Sequence, residues 1–226
     1  MKILLLAPQP FFQERGTPIA VRLAAEVLAS RQQDSVTILT YPEGNDIDIP
    51  NVEVKRVTSW PKIYGISPGF SLKKLYLDLF FLIALVRELW SCRSNQYDII
   101  HAVEESVFMA WILRPFFRIP FIYDMDSSLS LQLIEKLPLL RPLLPLFRWI
   151  ERQAIQQSLA VVPVCDALEV IAISEGAKHT QILRDISLLD LNAAPSCMLR
   201  QEAEIEESKQ IILYVGNLES YQGIDL

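Results

Sequence analysis

The sequence predicts a doubly wound α/β domain built on a parallel sheet. Three observations carry that prediction. Short, uninterrupted apolar runs such as residues 3–7 suit strands covered on both faces. Apolar residues at helical spacing fill the intervals between such runs. The two patterns alternate over most of the chain, as βα units require. Composition agrees, with 51% hydrophobic and 21% charged residues in 226, enough chain to bury a sizeable core.

Residues 3–7 form the first strand, and the loop "PQPFFQERG" follows. Thr17 is placed to cap a helix with Pro18 at its first position. That helix carries Val21, Ala24, Ala25 and Leu28 on one face. "SVTILTY" completes a βαβ unit, and the alternating "NVEVKRV" reads as a strand nearer an edge. Pro61, Gly65, Pro68 and Gly69 make residues 58–69 a loop. A long helix over 71–92 comes next, its Leu/Phe stripe read as core. "YDIIHAV" is a strand, "EESVFMAWILR" a helix closed by Pro115, and "IPFIYDMD" another strand. Residues 127–137 open with serine caps. Residues 138–158 are a proline-punctuated approach to a further helix. "LAVVPVC" is a strand, and 166–178 a helix with Gly176 near its end. An acidic stretch, "AEIEES", reads as a linker, and "KQIILYVG" as one more strand.

Several function classes are disfavoured. A net charge of −6 argues against a nucleic-acid surface, which needs clustered Lys and Arg. Cys92, Cys165 and Cys197 lack CxxC or Cys/His spacing and read as thiols of a reducing compartment rather than disulfides or a zinc site. The apolar N-terminal run is too short for a signal peptide. The longest apolar run, residues 79–86, falls well below the ~20 residues that span a bilayer. A cytoplasmic protein is the expectation. Neither GxGxxG nor GxxxxGK[ST] is present, and the chain holds seven glycines. An NAD, flavin or P-loop reading is therefore poor.

Parallel sheets bind ligands beyond the carboxyl ends of their strands. The positions to inspect are 8–17, 101–106, 124–128 and 216–223. Asp124 and Asp126 close one strand. Each is read either as a site carboxylate or as a structural acceptor, Asp126 capping the next helix and Asp124 bonding loop amides. Glu104 and Glu105 suit recognition of sugar hydroxyls or favourable charge in a first helical turn. His101 lies within a strand, where a hydrogen-bonded core histidine is the plain reading. Gly16 and Thr17 open a helix whose free amides suit an anion, with Arg15 beside them. Residues 137–149 mix Leu, Pro and Trp with Arg141 and Arg148. They read as an inter-helix connection packed on the sheet, with a membrane-facing patch as the alternative.

Four stretches, "FFQERGTPIAV", "YDIIHAVEES", "IPFIYDMDSSL" and "ILYVGNLESYQGIDL", occur in an order that resembles the retaining, family-4-type (group 1) glycosyltransferases of GT-B fold. The resemblance runs over essentially the whole chain. It implies two Rossmann-like domains facing a cleft, the first holding the acceptor and the second the nucleotide sugar. No metal and no cofactor is implied; the nucleotide sugar is a substrate. On this resemblance residues 1–200 are the acceptor-side domain, 201–209 a linker, and 210–226 the first strand and loop of the donor domain. The family often has a His where Asp126 stands, close to the reacting sugar carbon, so Asp126 is the candidate catalytic residue. Gly16, Thr17, Glu104, Glu105 and Asp124 are the implied acceptor contacts. Asn217, Gln222 and Gly223 fall in the diphosphate-binding loop, with Asn217 and Gln222 where the family has Arg and Lys. Amides at those positions donate hydrogen bonds but supply no cationic stabilisation of a departing diphosphate.

The resemblance thus implies the N-terminal part of an enzyme that moves a sugar from a nucleotide sugar to a hydroxyl of a glycan or lipid-linked acceptor, inactive alone. The alternative is a non-catalytic acceptor- or partner-binding module that works with a separate C-terminal half. Peripheral contact with the inner face of a membrane accompanies the lipid-linked case.

Overall fold

The computed structural model describes residues 1–31, 33–66, 71–92, 96–186, 198–206 and 208–213. The chain divides into two compact units, Met1–Asp185 and Ile186–Leu226. The first holds strands β1 (Lys2–Ala7), β2 (Ser35–Thr40), β3 (Val52–Arg56), β4 (Ile99–Val103), β5 (Phe121–Met125) and β6 (Ala160–Pro163). Helices α1 (Gly16–Ala29), α2 (Leu72–Ser91), α3 (Ser106–Phe117), α4 (Leu129–Lys136), α5 (Leu144–Gln157) and α6 (Asp166–Ser174) connect them. In the second unit, helix α7 (Met198–Glu202) is followed by a turn in which Arg200 donates to the carbonyls of Glu206 and Lys209, each at 2.9 Å.

The sheet has six strands in the order β3-β2-β1-β4-β5-β6, and every pairing is parallel. The order reverses at β1, so the crevice between the ends of β1 and β4 is the topological switch point where such sheets bind ligands. Leu4, Leu5 and Leu6 of β1 are fully buried, which explains a strand with no polar alternation. Alternate residues feed two cores. Leu5, Val21, Ala25, Ile38 and Val103 pack under α1. Leu4, Leu6, Leu77, Phe81, Leu85, Phe121 and Tyr123 pack on the opposite face under α2. Beside β6, residues 179–183 run as an extended segment: Val161 N–H donates to the His179 carbonyl, and Gln181 N–H to the Val161 carbonyl. That segment covers the outer edge of β6.

Three local expectations change. Helix α1 starts at Gly16 with Arg15 as N-cap, so Thr17 lies inside the first turn and caps nothing. Arg15 is extended, at φ −135° and ψ 162°, and its carbonyl already accepts from Ile19 N–H at 3.1 Å. Helix α3 continues past Pro115 to Phe117. The proline sits in the last turn, where losing one N–H is tolerated, and Arg118 ends the helix at φ +56°. Residues 210–213 form no strand, because their backbone groups meet no ladder partner among the described residues. The remainder of that expected strand lies outside the described residues.

The loop between β1 and α1 is held from the side. Arg56, at the end of β3, donates to the carbonyls of Phe11 at 2.5 Å and Asn45 at 2.8 Å. Phe12 and Asn45 exchange backbone bonds of 3.1 and 2.9 Å. Gly44 makes this approach possible: its φ is +132°, and a Cβ there would lie 2.1 Å from the Phe11 carbonyl oxygen. Gly44→Ala is therefore expected to lower the unfolding free energy by at least about 1–3 kcal/mol for the backbone conformation alone, read from urea denaturation. A shift of that midpoint by less than the error of the curve would show that the loop is not pinned there.

Candidate functional site

Polar side chains gather at the carboxyl edge of β4 and β5, on both faces of the sheet. On the α1 face, His101 Nε2 lies 2.8 Å from Asp124 Oδ2. The two stand two register steps apart, since Asp124 pairs with Val103 and His101 with Ile122, and alternation puts both on one face. Asp126 follows beyond the strand end. Burial, then the charges of Asp124, Glu104 and Asp185, push its carboxyl up to about 8, while the Thr17 hydroxyl pulls the other way. Asp126, Asp124, Glu104 and Thr17 are thereby one electrostatic neighbourhood.

On the α2 face, the two-residue connection Glu104–Glu105 turns β4 sharply into α3. Glu104 takes φ +48°, a left-handed conformation uncommon for a residue with a side chain, and its N–H bonds the Asp124 carbonyl at 3.0 Å. Lys74, in the first turns of α2, reaches Glu105 at 2.6 Å and Glu104 at 3.8 Å. Burial opposes its charge, yet Glu105 and Glu104 outweigh burial and push the ammonium above its ordinary range. Burial first, and then Glu105, raise Glu104 to about 7. Asp78, one turn beyond Lys74, is raised to about 7 by burial and Glu105, and it accepts from the buried Tyr41 hydroxyl at 2.5 Å.

The segment after β5 is anchored by a residue that the sequence did not single out. Glu151 of α5 is 4% exposed. Its carboxylate accepts from Ser128 Oγ at 3.1 Å, Ser130 Oγ at 2.5 Å and Leu129 N at 2.9 Å. Glu151 thus serves the N-terminus of α4, the role that Asp126 was one candidate for. Asp126 makes no cap there; the N-cap is Ser128. Freed of capping, Asp126 stays at the edge with Asp124.

The structure therefore brings Thr17, Glu104, Glu105, Asp124 and Asp126 to one edge. Gly16 opens α1 with open space where a Cβ would stand. Arg15 does not face this edge as a free charge; it donates to the Ile66 carbonyl at 3.1 Å. His101 is buried and hydrogen-bonded to Asp124, the hydrogen-bonded core histidine that its place in a strand suggests. Asn217, Gln222 and Gly223 lie outside the described residues. Lys74, Asp78, Tyr41 and Glu151 were missed. A signal existed for Glu151, because it shares the inward face of α5 with Ala154 and Ile155, where a carboxylate needs partners.

Cys92 and Cys165 are free, half-buried thiols, and Cys197 is outside the described residues. Among the described residues no group of three or more His, Cys, Asp and Glu is placed to hold a metal ion. Nor is any helix among them long and apolar enough to cross a membrane. Residues 137–149 do not pack on the sheet as a buried connection. They form a 3-10 turn, Pro138–Leu143, and the start of α5, exposing Leu139, Leu143, Leu146 and Trp149.

Sheet order and switch point together define a Rossmann-like domain of the α/β class, with a polar edge at the carboxyl ends of its strands. Comparison with known proteins narrows the class. The family model of the glycosyl transferase 4-like domain matches residues 15–184, and the chain belongs to that family. Among solved structures, sucrose-phosphate synthase from Thermosynechococcus elongatus superposes with a TM-score of 0.73 at 19% identity, covering 99% of this chain and 57% of that one. A UGT transferase from Siraitia grosvenorii in complex with UDP gives 0.50 at 11% identity, covering 91% and 55%. Phytolacca americana UGT2, complexed with UDP-2fluoro-glucose and pterostilbene, gives 0.51 at 13%, covering 83% and 55%. The fold is the Rossmann-like one of GT-B glycosyltransferases. The chain spans little more than half the length of these three proteins. No curated protein sequence matches it.

The buried carboxyl groups make two measurable differences to stability. Because Asp126 titrates at about 8 in the folded chain against an ordinary 3.8, the folded state holds the proton more tightly. Stability is fullest below the ordinary value and falls as pH rises towards 8. Asp126→Asn is expected to flatten that decline and to gain on the order of 1–3 kcal/mol at pH 8; parallel pH profiles for the two proteins would show that Asp126 does not hold this proton. Glu151→Ala strands three donors and is expected to cost about 3 kcal/mol. A loss within about 0.5 kcal/mol in chemical denaturation, the range of ordinary surface substitutions, would show that water replaces the carboxylate.

Proposed function

We propose that this chain is the acceptor side of a retaining glycosyltransferase. The intact reaction moves a sugar from a nucleotide sugar to a hydroxyl of a glycan or lipid-linked acceptor. One observation carries the reading: the edge at the switch point is crowded with carboxyl groups, and its cation, Lys74, is committed to Glu104 and Glu105. Such an edge leaves Lys74 occupied rather than available to a diphosphate, whereas its carboxyl groups exchange hydrogen bonds readily with hydroxyls. Donor phosphate belongs elsewhere, and residues 1–200 present hydroxyl-recognising groups.

In this reading His101 orients Asp124, and Asp124 accepts from an acceptor hydroxyl. Asp126, protonated near neutral pH by its buried, like-charged surroundings, donates a hydrogen bond to an acceptor or sugar oxygen and keeps its proton. Glu104 lies beside both. Residues 201–209 link to a donor domain that begins over 210–226, with Asn217, Gln222 and Gly223 at the diphosphate. The 226 residues alone bind acceptor without transferring sugar, because the donor is not aligned against it.

The test pairs binding with turnover. Saturation-transfer NMR on the full chain is expected to show neutral hexose oligosaccharides bound weakly, and the signal to fall at least tenfold in Asp126→Ala. UDP-glucose consumption by the same chain is expected to stay at the buffer rate. Tight UDP-glucose binding with no oligosaccharide signal, or sugar-nucleotide turnover by the isolated chain, would overturn the assignment.

A further inference from the structure

Helix α5 separates its charges by sign. From Leu137 to Ser158 the chain holds one acidic residue, Glu151, and three basic ones, Arg141, Arg148 and Arg152. Glu151 is buried and bonded to the serines of α4. The three arginines are exposed. The outer face of α5 is therefore cationic in a chain of net charge −6.

A groove of about 420 Å³ lies on this face, between α5 and the residue that ends α6. It is lined by Leu144, Pro145, Arg148, Trp149, Arg152 and Glu175, and its volume falls within the range of small-molecule sites. Positions 144, 148 and 152 follow one another at four-residue intervals, as do 145 and 149, so two neighbouring ridges of α5 form one wall. Trp149, 53% exposed, offers a flat apolar surface there. Arg148 makes no ion pair among the described residues.

Glu175, the acid in the lining, is already engaged. Its carboxylate accepts from Arg152 Nε at 2.5 Å, and its carbonyl accepts from Gln156 Nε2 at 3.1 Å. Gly176, at φ +93°, permits this approach of α6 to α5, since a Cβ there would lie 3.0 Å from the same amide nitrogen. Glu175 is thus fixed through backbone and side chain, and it holds the Arg152 guanidinium by one nitrogen. The two Nη atoms carry four further N–H donors in one plane. Such a fork matches a carboxylate or a phosphate through paired bonds.

We infer that this groove binds a sugar bearing an anionic group, with the ring laid on Trp149 and the carboxylate or phosphate held by Arg152 and Arg148. An acidic helix of a partner protein fits less well. It needs apolar anchors spaced along a groove, and this lining offers two aliphatic residues, Leu144 and Pro145. Only α5 and the end of α6 build the groove, so the inference does not depend on the role given to Asp124 and Asp126.

The experiment titrates the full chain with trigalacturonate, glucose 6-phosphate and the neutral maltotriose, followed by calorimetry and Trp fluorescence. Trigalacturonate is expected to bind, to change the emission, and to bind more weakly as salt is added. Maltotriose is expected to leave the emission unchanged, and Trp149→Phe to abolish the response to the acid. Arg148→Gln with Arg152→Gln is expected to weaken binding at least roughly tenfold, with circular dichroism matching the parent. Arg152→Lys is expected to stay well below the parent, because a point charge does not form the paired bonds. Binding of either acid supports the inference, and the tighter of the two identifies the anion. Asp126→Ala is expected to bind trigalacturonate as the parent does; loss of binding in that variant would assign the acid to the strand ends and overturn the inference. So would no binding of either acid, equal binding of maltotriose, parent affinity in the glutamine or lysine variants, or tighter binding of polyglutamate, which would mark a surface for acidic peptide.

Discussion

Like charges held together at the end of a parallel sheet are the constraint on which the rest depends. Glu104, Glu105, Asp124 and Asp126 leave the ends of neighbouring strands, and burial penalises each charge. Three features make the arrangement tolerable: Lys74 reaching in from α2, His101 alongside Asp124, and the protons retained by Asp126, Glu104 and Asp78. Remove Lys74 and the edge would have to protonate further or open. The edge is polar but poor in positive charge.

Helix α2 joins three levels of the molecule. Its inner stripe closes the core on one face of the sheet. Its first turns send Lys74 and Asp78 to the polar edge, and its last turns send Glu88 to Lys55 and Tyr97. Its outer stripe, Leu72, Leu75, Leu79 and Ile83, is exposed. The loop from β1 to α1 is held independently by Arg56 and by the close approach of Gly44 to Phe11. Two rigid supports thus bracket the switch point.

Much of this was legible in the residues. A continuous apolar run marked β1, because a strand covered on both faces needs no polar alternation, and β2 and β4 were legible as short strands between helical stretches. Helix positions followed from periodicity, and the carboxyl ends of strands named Thr17, Glu104, Glu105, Asp124 and Asp126 as the residues to inspect. Boundaries were less legible. Thr17 looked like a cap and Pro115 like a stop, but Arg15 adopts the extended geometry that opens α1, and a proline in a last turn disturbs little.

Local chemistry determined the class: alternating strands and helices, a parallel sheet, and acidic residues after its strands. Partnership was decided only in three dimensions. Lys74 finds Glu105 from thirty-one positions away in the chain, Glu151 takes the capping role that adjacency suggested for Asp126, and Leu72, Leu75, Leu79 and Ile83 of α2 are exposed. Periodicity reports which residues share a face, since it depends on neighbours along the backbone. Which face meets which partner depends on contacts between distant segments, and those exist only once the sheet has brought them together.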